Sequence, residues 1–414
     1  MSSGAKPVHA RQILFPVVDG CLTVGGLKLD RLAQRVGSTP FYAYDRALLT
    51  SRVAQLRAAL PAALRLHFSM KANPMPALVQ HMAHLVDGID VASGGELRVA
   101  LDTGMDPGHI SLAGPGKSEA EMSQAVAAGA YVHAESEREV RVLARLGEQL
   151  GVTPQLMLRI NPEFELKSSG MRMGGGAKQF GIDAEDAPRV MALAAGLGLD
   201  VQGFHIFSGS QSLKAEAIVE AQAQTFALAR RLAGEASTPL RHLNIGGGFG
   251  IPYFPGEAAL DLAPIGAHLG PALEDFAREQ PGARVAIELG RYLVGEAGVY
   301  VARVVDRKVS RGQVFLVTDG GLHHHLAASG NFGQVIRKNY PVVIGNRMDA
   351  GEAELEAVSV VGPLCTPLDL LAERMELAHA EPGDLVVVFQ SGAYGRSASP
   401  GGFLSHPDVV EVLV

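Results

Sequence analysis

The chain has 414 residues, of which 47% are hydrophobic and 19% charged, with a formal net charge of -7. That content supports a large core and about two or three domains at roughly 150 residues each, unless one barrel absorbs more. The acidic balance, with no long basic run, excludes an electrostatic footprint for nucleic acid or an anionic membrane surface, and nowhere do about 18 uninterrupted apolar residues occur.

The first residues, MSSGAKPVHARQ, carry no apolar signal-peptide stretch, so a cytoplasmic location is expected. Two cysteines, Cys21 and Cys365, make a disulfide framework improbable. Strand-like pieces at 20–29 come first. A helix is expected over 45–60, where Leu49, Val53, Leu56 and Leu60 form one stripe. Eight short apolar runs follow, at 64–70, 88–92, 109–113, 131–134, 155–160, 201–207, 242–245 and 285–289. Helical stretches lie between them, among them 77–85, 136–150, 184–197, 215–233 and 265–279. Eight strands alternating with helices make an α/β chain whose pattern is a closed parallel (β/α)8 TIM barrel. After Arg291 the rhythm becomes strand-rich, at 299–305, 313–318, 354–361 and 384–390. The expected division is therefore a barrel over 42–291 and an antiparallel β domain from 1–41 and 292–414.

Three strings end strand-like runs and carry chemistry: SMKANP around Lys71, GGGFG from Gly246, and ELGR from Glu288 to Arg291. Each alone has a bland reading as a surface lysine, a glycine turn or a strand-end acid. Together they supply an amine for an aldehyde, backbone amides for a phosphate and an acid for a ring nitrogen, the needs of pyridoxal 5'-phosphate. Asp90, Arg159, His205 and Phe207 fall at the same strand ends, the face where barrel enzymes build their sites.

FYAYD, SMKANP, DVASGGEL, LRINPEF, QFGI, GSQ, IGGGFG, ELGR, GPLC and SGAYG run in this order along nearly the whole chain. In this the chain resembles the fold-type III pyridoxal phosphate decarboxylases, which include diaminopimelate, ornithine and arginine decarboxylases, with alanine racemase a more distant relative. The resemblance implies loss of an α-carboxylate through an external aldimine and a quinonoid. Lys71 then carries the cofactor, and Glu288 pairs with the pyridine nitrogen. Gly246, Gly247, Gly248, Ser210, Gly290, Arg291 and Tyr394 hold the phosphate, Asp90 lies near the Schiff base, and Arg159 near the cofactor hydroxyl. Cys365 reprotonates the product from the partner subunit, which implies a homodimer with active sites at the subunit interface. Arg337 and Tyr340 lie where relatives bind a substrate carboxylate.

Three departures bear on the substrate. Phe207 stands where relatives stack a histidine on the ring, so any acid or base role passes to His205 or elsewhere. Thr366 follows Cys365 where relatives acting on diamino substrates carry an acid for the distal ammonium. Lys178 and Gln179 replace a serine-lysine pair inside the glycine-rich run SSGMRMGGGAKQFGI, which reads as a mobile lid or substrate-facing loop. With DGGLHHHLAASGNFGQVIRKNYP and SGAYGRSASPGGFLSHP, these features are most similar to the branch that decarboxylates an L-glutamyl group on an acyl-carrier protein, and its exosortase-associated relatives. Diaminopimelate decarboxylation and amino-acid racemisation are the alternatives. Three adjacent histidines, His323 to His325, point in alternating directions if extended, so no metal is expected there and a polar β-domain or interface loop is.

Overall fold

The computed structural model describes residues 8–236, 238–334 and 337–414. The chain divides into a barrel unit of residues 51–251 and 259–292 and a β unit of residues 1–50, 252–258 and 293–414.

In the barrel unit, eight strands close on themselves: β1 Arg65–Ser69, β2 Gly88–Val91, β3 Ile110–Leu112, β4 Tyr131–Ala134, β5 Gln155–Asn161, β6 Val201–Ile206, β7 His242–Asn244 and β8 Arg284–Leu289. Every neighbouring pair is parallel, and β8 pairs back onto β1 through Glu288 opposite His67. This is the expected α/β barrel. Its helices start where side chains satisfy the first free amides. Ser93 caps Gly94–Asp102, Ser118 forms a reciprocal capping box with Glu121, and Ser136 caps Glu137–Leu150. The last two helices end on Gly129 and Gly151, both left-handed. Two of these helices, Gly94–Asp102 and Glu119–Ala128, complete the alternation beyond those read from the sequence.

The β unit is built on the 13-residue strand Gly298–Ser310. Its first half pairs with Phe41–Tyr44 and Leu385–Val388, its second half with Gln313–Thr318. Leu22, Phe41, Val299, Val387 and Phe389 form its core. Two pairings depart from the antiparallel expectation: Gln313–Thr318 with Leu355–Val361, and Phe41–Tyr44 with Val410–Leu413, are parallel. A helix, Leu29–Val36, interrupts the N-terminal strands, with Leu29, Leu32 and Ala33 on its buried stripe. Among the described residues, no helix is long and apolar enough to cross a membrane.

Candidate active site

Glu288 is the centre of the polar cluster at the C-terminal ends of the barrel strands. Its carboxylate, 7% exposed, accepts from Ser69 Oγ at 3.0 Å and from Asn244 Nδ2 at 3.4 Å. His205 Nε2 stands 3.0 Å from its Oε2, at an angle short of a full hydrogen bond, and Lys71 Nζ 4.0 Å from its Oε1. Burial raises the pKa of this carboxyl, but His205, Lys71 and Arg159 more than offset that and hold it well below the usual carboxylate range. An ionised carboxylate in this position can keep a facing ring nitrogen protonated.

Lys71 sits in the single 3-10 turn Met70–Ala72 that ends β1, and its side chain is 45% exposed. Its Nζ lies 5.7 Å from the centre of the Phe207 ring, which meets the His205 ring edge-on at 6.3 Å. Asp90, on β2, accepts from His67 Nδ1 at 3.2 Å and from Ser111 Oγ, while its buried Oδ2 has no hydrogen-bond partner. Arg159 pairs with Glu135 at 3.0 Å and lies over Phe180. Behind that pair, Lys117 holds Glu139 at 2.9 Å, and Glu139 accepts the Glu135 amide. Arg159 is thus engaged in the ion pair that its strand-end position also allowed.

His67, Lys117, His133 and Glu135 were not singled out in the sequence, although they belong to this cluster. The signal for two of them was present: His133 and Glu135 are two residues apart in YVHAE, so an extended chain turns both to one face.

Gly246, Gly247 and Gly248 leave β7 in a turn that needs glycine. Gly246 and Gly248 have φ of 66° and 84°, and a methyl group on Gly247 would fall 2.0 Å from the Glu288 carbonyl oxygen. Residues 46–295 match the family described as pyridoxal-dependent decarboxylase, pyridoxal binding domain. The chain belongs to this family.

This decarboxylase is 40% identical over 380 residues to L-glutamyl-[BtrI acyl-carrier protein] decarboxylase of Niallia circulans, which covers 91% of this chain and 88% of that one. It is 32% identical to the diaminopimelate decarboxylase of Aquifex aeolicus, over 96% of this chain and 91% of that one. Among solved structures, diaminopimelate decarboxylase from Helicobacter pylori complexed with L-lysine superposes with a TM-score of 0.81 at 26% identity, covering 93% of this chain and 94% of that one. The protein is a pyridoxal phosphate-dependent carboxy-lyase, and its residues fit that cofactor. No side chain can stand in the glycine turn, where a Cβ on Gly248 would meet Leu166 at 2.7 Å, and the buried Asp90 Oδ2 has no hydrogen-bond partner.

Of the other expected contacts, Gly290 packs so tightly on the Lys71 turn that a Cβ would meet Ala72 at 2.8 Å. Ser210 lies in Gly209–Ser210, paired with Met171–Arg172, and Arg291 opens the short helix Arg291–Val294. The glycine-rich segment is hydrogen-bonded to the ends of the barrel strands: besides that pairing, Gly175 N–H donates to Pro162 O, and Gly181 N–H to Glu135 Oε2.

The β unit holds the rest. Cys365 is exposed, and Thr366 Oγ1 accepts the Leu368 amide at 3.3 Å. Tyr394 has a left-handed φ of 52°. Arg337 spends its guanidinium on Ser329 O, Leu370 O and Asn339 Oδ1, and Tyr340 is buried against Tyr253, Phe254 and His325. His323, His324 and His325 lie in the β unit, as expected, and are buried at 0%, 2% and 0% exposure. Burial pushes all three below the usual histidine value, His323 to about 4 and His325 to about 3. No residue group with metal-ligand geometry occurs among the described residues.

Proposed function

We propose that this decarboxylase removes the α-carboxylate of an L-glutamyl group carried as a thioester on an acyl-carrier protein, acting in the cytoplasm as a homodimer with active sites at the subunit interface. The observation that carries the substrate reading is the 40% identity, across 91% of the chain, to the N. circulans enzyme named for that substrate. Thr366 agrees with it, because a hydroxyl after Cys365 offers a distal substrate ammonium no charged partner.

In this reading the barrel of 42–291 holds the cofactor through Lys71 Nζ, with its phosphate on the amides of Gly246, Gly247 and Gly248 and on Ser210, Gly290, Arg291 and Tyr394. The bound cofactor supplies an electron sink for the pair left by departing carbon dioxide. Glu288 keeps a proton on its partner nitrogen, His205 orients that carboxylate, Phe207 gives an apolar face, and Asp90 and Arg159 border the ring. Cys365 of one subunit returns a proton to the product carbon in the other subunit's site, while Arg337 and Tyr340 line the substrate's approach.

The test is carbon dioxide release from glutamyl-carrier protein and from free diaminopimelate, lysine and ornithine at equal concentration. A charge-assisted bond to a distal ammonium contributes about 1.5–3 kcal/mol, or about ten- to 150-fold, so the free diamino acids should lag by that factor. Efficient turnover of diaminopimelate would return the enzyme to that substrate.

A further inference from the structure

The barrel interior is not filled beneath Glu288. A cavity of about 60 Å³ reaches in from the opposite end, past Tyr131, His133, His67 and His242. Arg65, Tyr131, His242 and Arg284 are the first residues of β1, β4, β7 and β8, so the cavity lies at the N-terminal end of the strands. Exposed Arg65, His109 and Arg284 form its mouth. Most of its exposed lining is apolar, but it exceeds the roughly 10–15 Å³ that one water needs, and Asp87, Asp90, Ser111 and Asn244 offer hydrogen-bonding partners.

Two imidazoles span the distance from this cavity to Glu288. His133, which lines the cavity, has its Nδ1 3.0 Å from His205 Nδ1, and His205 Nε2 is the atom 3.0 Å from Glu288 Oε2. Two facing ring nitrogens at this separation share one proton: one donates and the other accepts. With His205 presenting Nε2–H to the carboxylate, its Nδ1 is the acceptor, His133 Nδ1 is the donor, and His133 Nε2 is left as a base. Burial, then the neighbouring His205, holds His133 well below the usual histidine value, so it rests neutral.

We propose that His133 and His205 are a proton connection between Glu288 and the water-accessible cavity at the N-terminal end of the barrel. A proton taken from water onto His133 Nε2 releases the one on His133 Nδ1 to His205 Nδ1, and His205 gives its Nε2 proton to Glu288 Oε2. One proton enters and one arrives; the reverse passage restores both tautomers. His133 is a positioning residue that acts only through His205. The groups that set the relay's charge are Lys117, Arg159 and Glu288 facing His133, with the Asp90–His67 pair across the same cavity. The consequence is that the acid can exchange its proton from below while the substrate face stays closed to water.

The value of this relay to the reaction rests on Glu288 pairing with the ring nitrogen, so the deciding measurement is made on the full-length chain without pyridoxal phosphate, where that pairing plays no part. In protein labelled with 15N-histidine, exchange of the His205 ring N–H with water is followed by NMR, the signal being assigned by its loss in His205→Gln. His133→Asn keeps a hydrogen-bonding group against His205 but has no second ring nitrogen, and should slow exchange at least about tenfold. In holoenzyme the same substitution should slow relaxation of the visible band after a pH jump, with the end point unchanged. Equal exchange in wild type and His133→Asn would overturn the proposal. So would a wild-type His205 N–H protected for hours, a measurement that needs no variant. Failure of the nitrogen pairing would instead show as a Glu288→Gln holoenzyme with unaltered spectrum and rate while wild-type exchange stays fast.

Discussion

Glutamine at Glu288 keeps the side chain's shape and removes its charge. The carboxylate is 7% exposed, bonded to Ser69 and Asn244, and within 4.0 Å of Lys71, so there is little water to take over its role. An amide can still accept from Ser69 but cannot stabilise a proton on the facing nitrogen. The loss is the charge-assisted part of one buried contact, about 1.5–3 kcal/mol, which corresponds to about ten- to 150-fold in rate. The assay is single-turnover carbon dioxide release at saturating substrate, with cofactor content measured on the same samples so that lost binding is not mistaken for lost chemistry. A pH series adds a second readout. The folded carboxyl lies below its ordinary value of 4.5, so its contribution to stability is complete above that value and is lost as the pH falls through the folded one. Glu288→Gln should therefore flatten the acid limb of the melting curve below about pH 4.5. A variant that retains cofactor and decarboxylates at the wild-type rate would refute the role given to this residue.

Lys71→Ala should abolish borohydride trapping of the cofactor, and a trapped adduct at another lysine would move the anchor elsewhere. Cys365→Ala and Lys71→Ala, each nearly inactive alone, should regain activity when mixed, because a hybrid dimer then has one complete site; no recovery after verified subunit exchange would place both residues in one subunit's site. His325 donates from Nε2 to Ser391 Oγ at 2.9 Å and accepts the Ala328 amide on Nδ1. With its folded pKa at about 3, below the ordinary 6.5, its stabilisation is complete above 6.5 and declines as the pH falls toward 3, at about 1.4 kcal/mol per pH unit. His325→Gln should make the fall in melting temperature between about pH 6.5 and 5 shallower, and parallel curves for the two proteins would exclude this histidine as the acid-sensitive group.

The barrel was legible because its signals are local. Each short apolar run is bounded by turn residues, and the helix read from Ser136 starts on that serine as its cap; Ser93 and Ser118 cap two further helices that were not read. Lys71, Glu288 and the glycine turn stood out because the cofactor roles proposed for them call for unusual residue types at strand ends. The lower half of the cluster was legible only as a spacing that puts His133 and Glu135 on one face of a strand. His133 and Glu135 belong to no motif string, and only closure of the barrel brings β4 and β6 close enough for His133 to meet His205. In the β unit, the two parallel pairings depend on long-range partners that no window of sequence contains. The surroundings of Arg337 are of the same kind: its string gives no hint that the carbonyls of Ser329 and Leu370 take up its fork. The helix Leu29–Val36 is different, since its apolar spacing was readable and the flanking strand-like residues masked it.

The glycine turn proposed for the phosphate and the acid are parts of one closed circuit. Glu288 N–H donates to Gly246 O at 2.8 Å, Gly246 N–H to Asn244 Oδ1 at 2.9 Å, and Asn244 Nδ2 back to Glu288 Oε2 at 3.4 Å. Neither end can shift without dragging the other, so in the proposed roles the barrel works as a gauge set to one length, from the anion anchor to the nitrogen's counter-charge. Cofactor analogues with a lengthened phosphate arm cannot satisfy both ends at once. A gauge of this kind also confines variation: the spacing that grips the cofactor tolerates little change, and new substrates must be accommodated by residues outside the circuit.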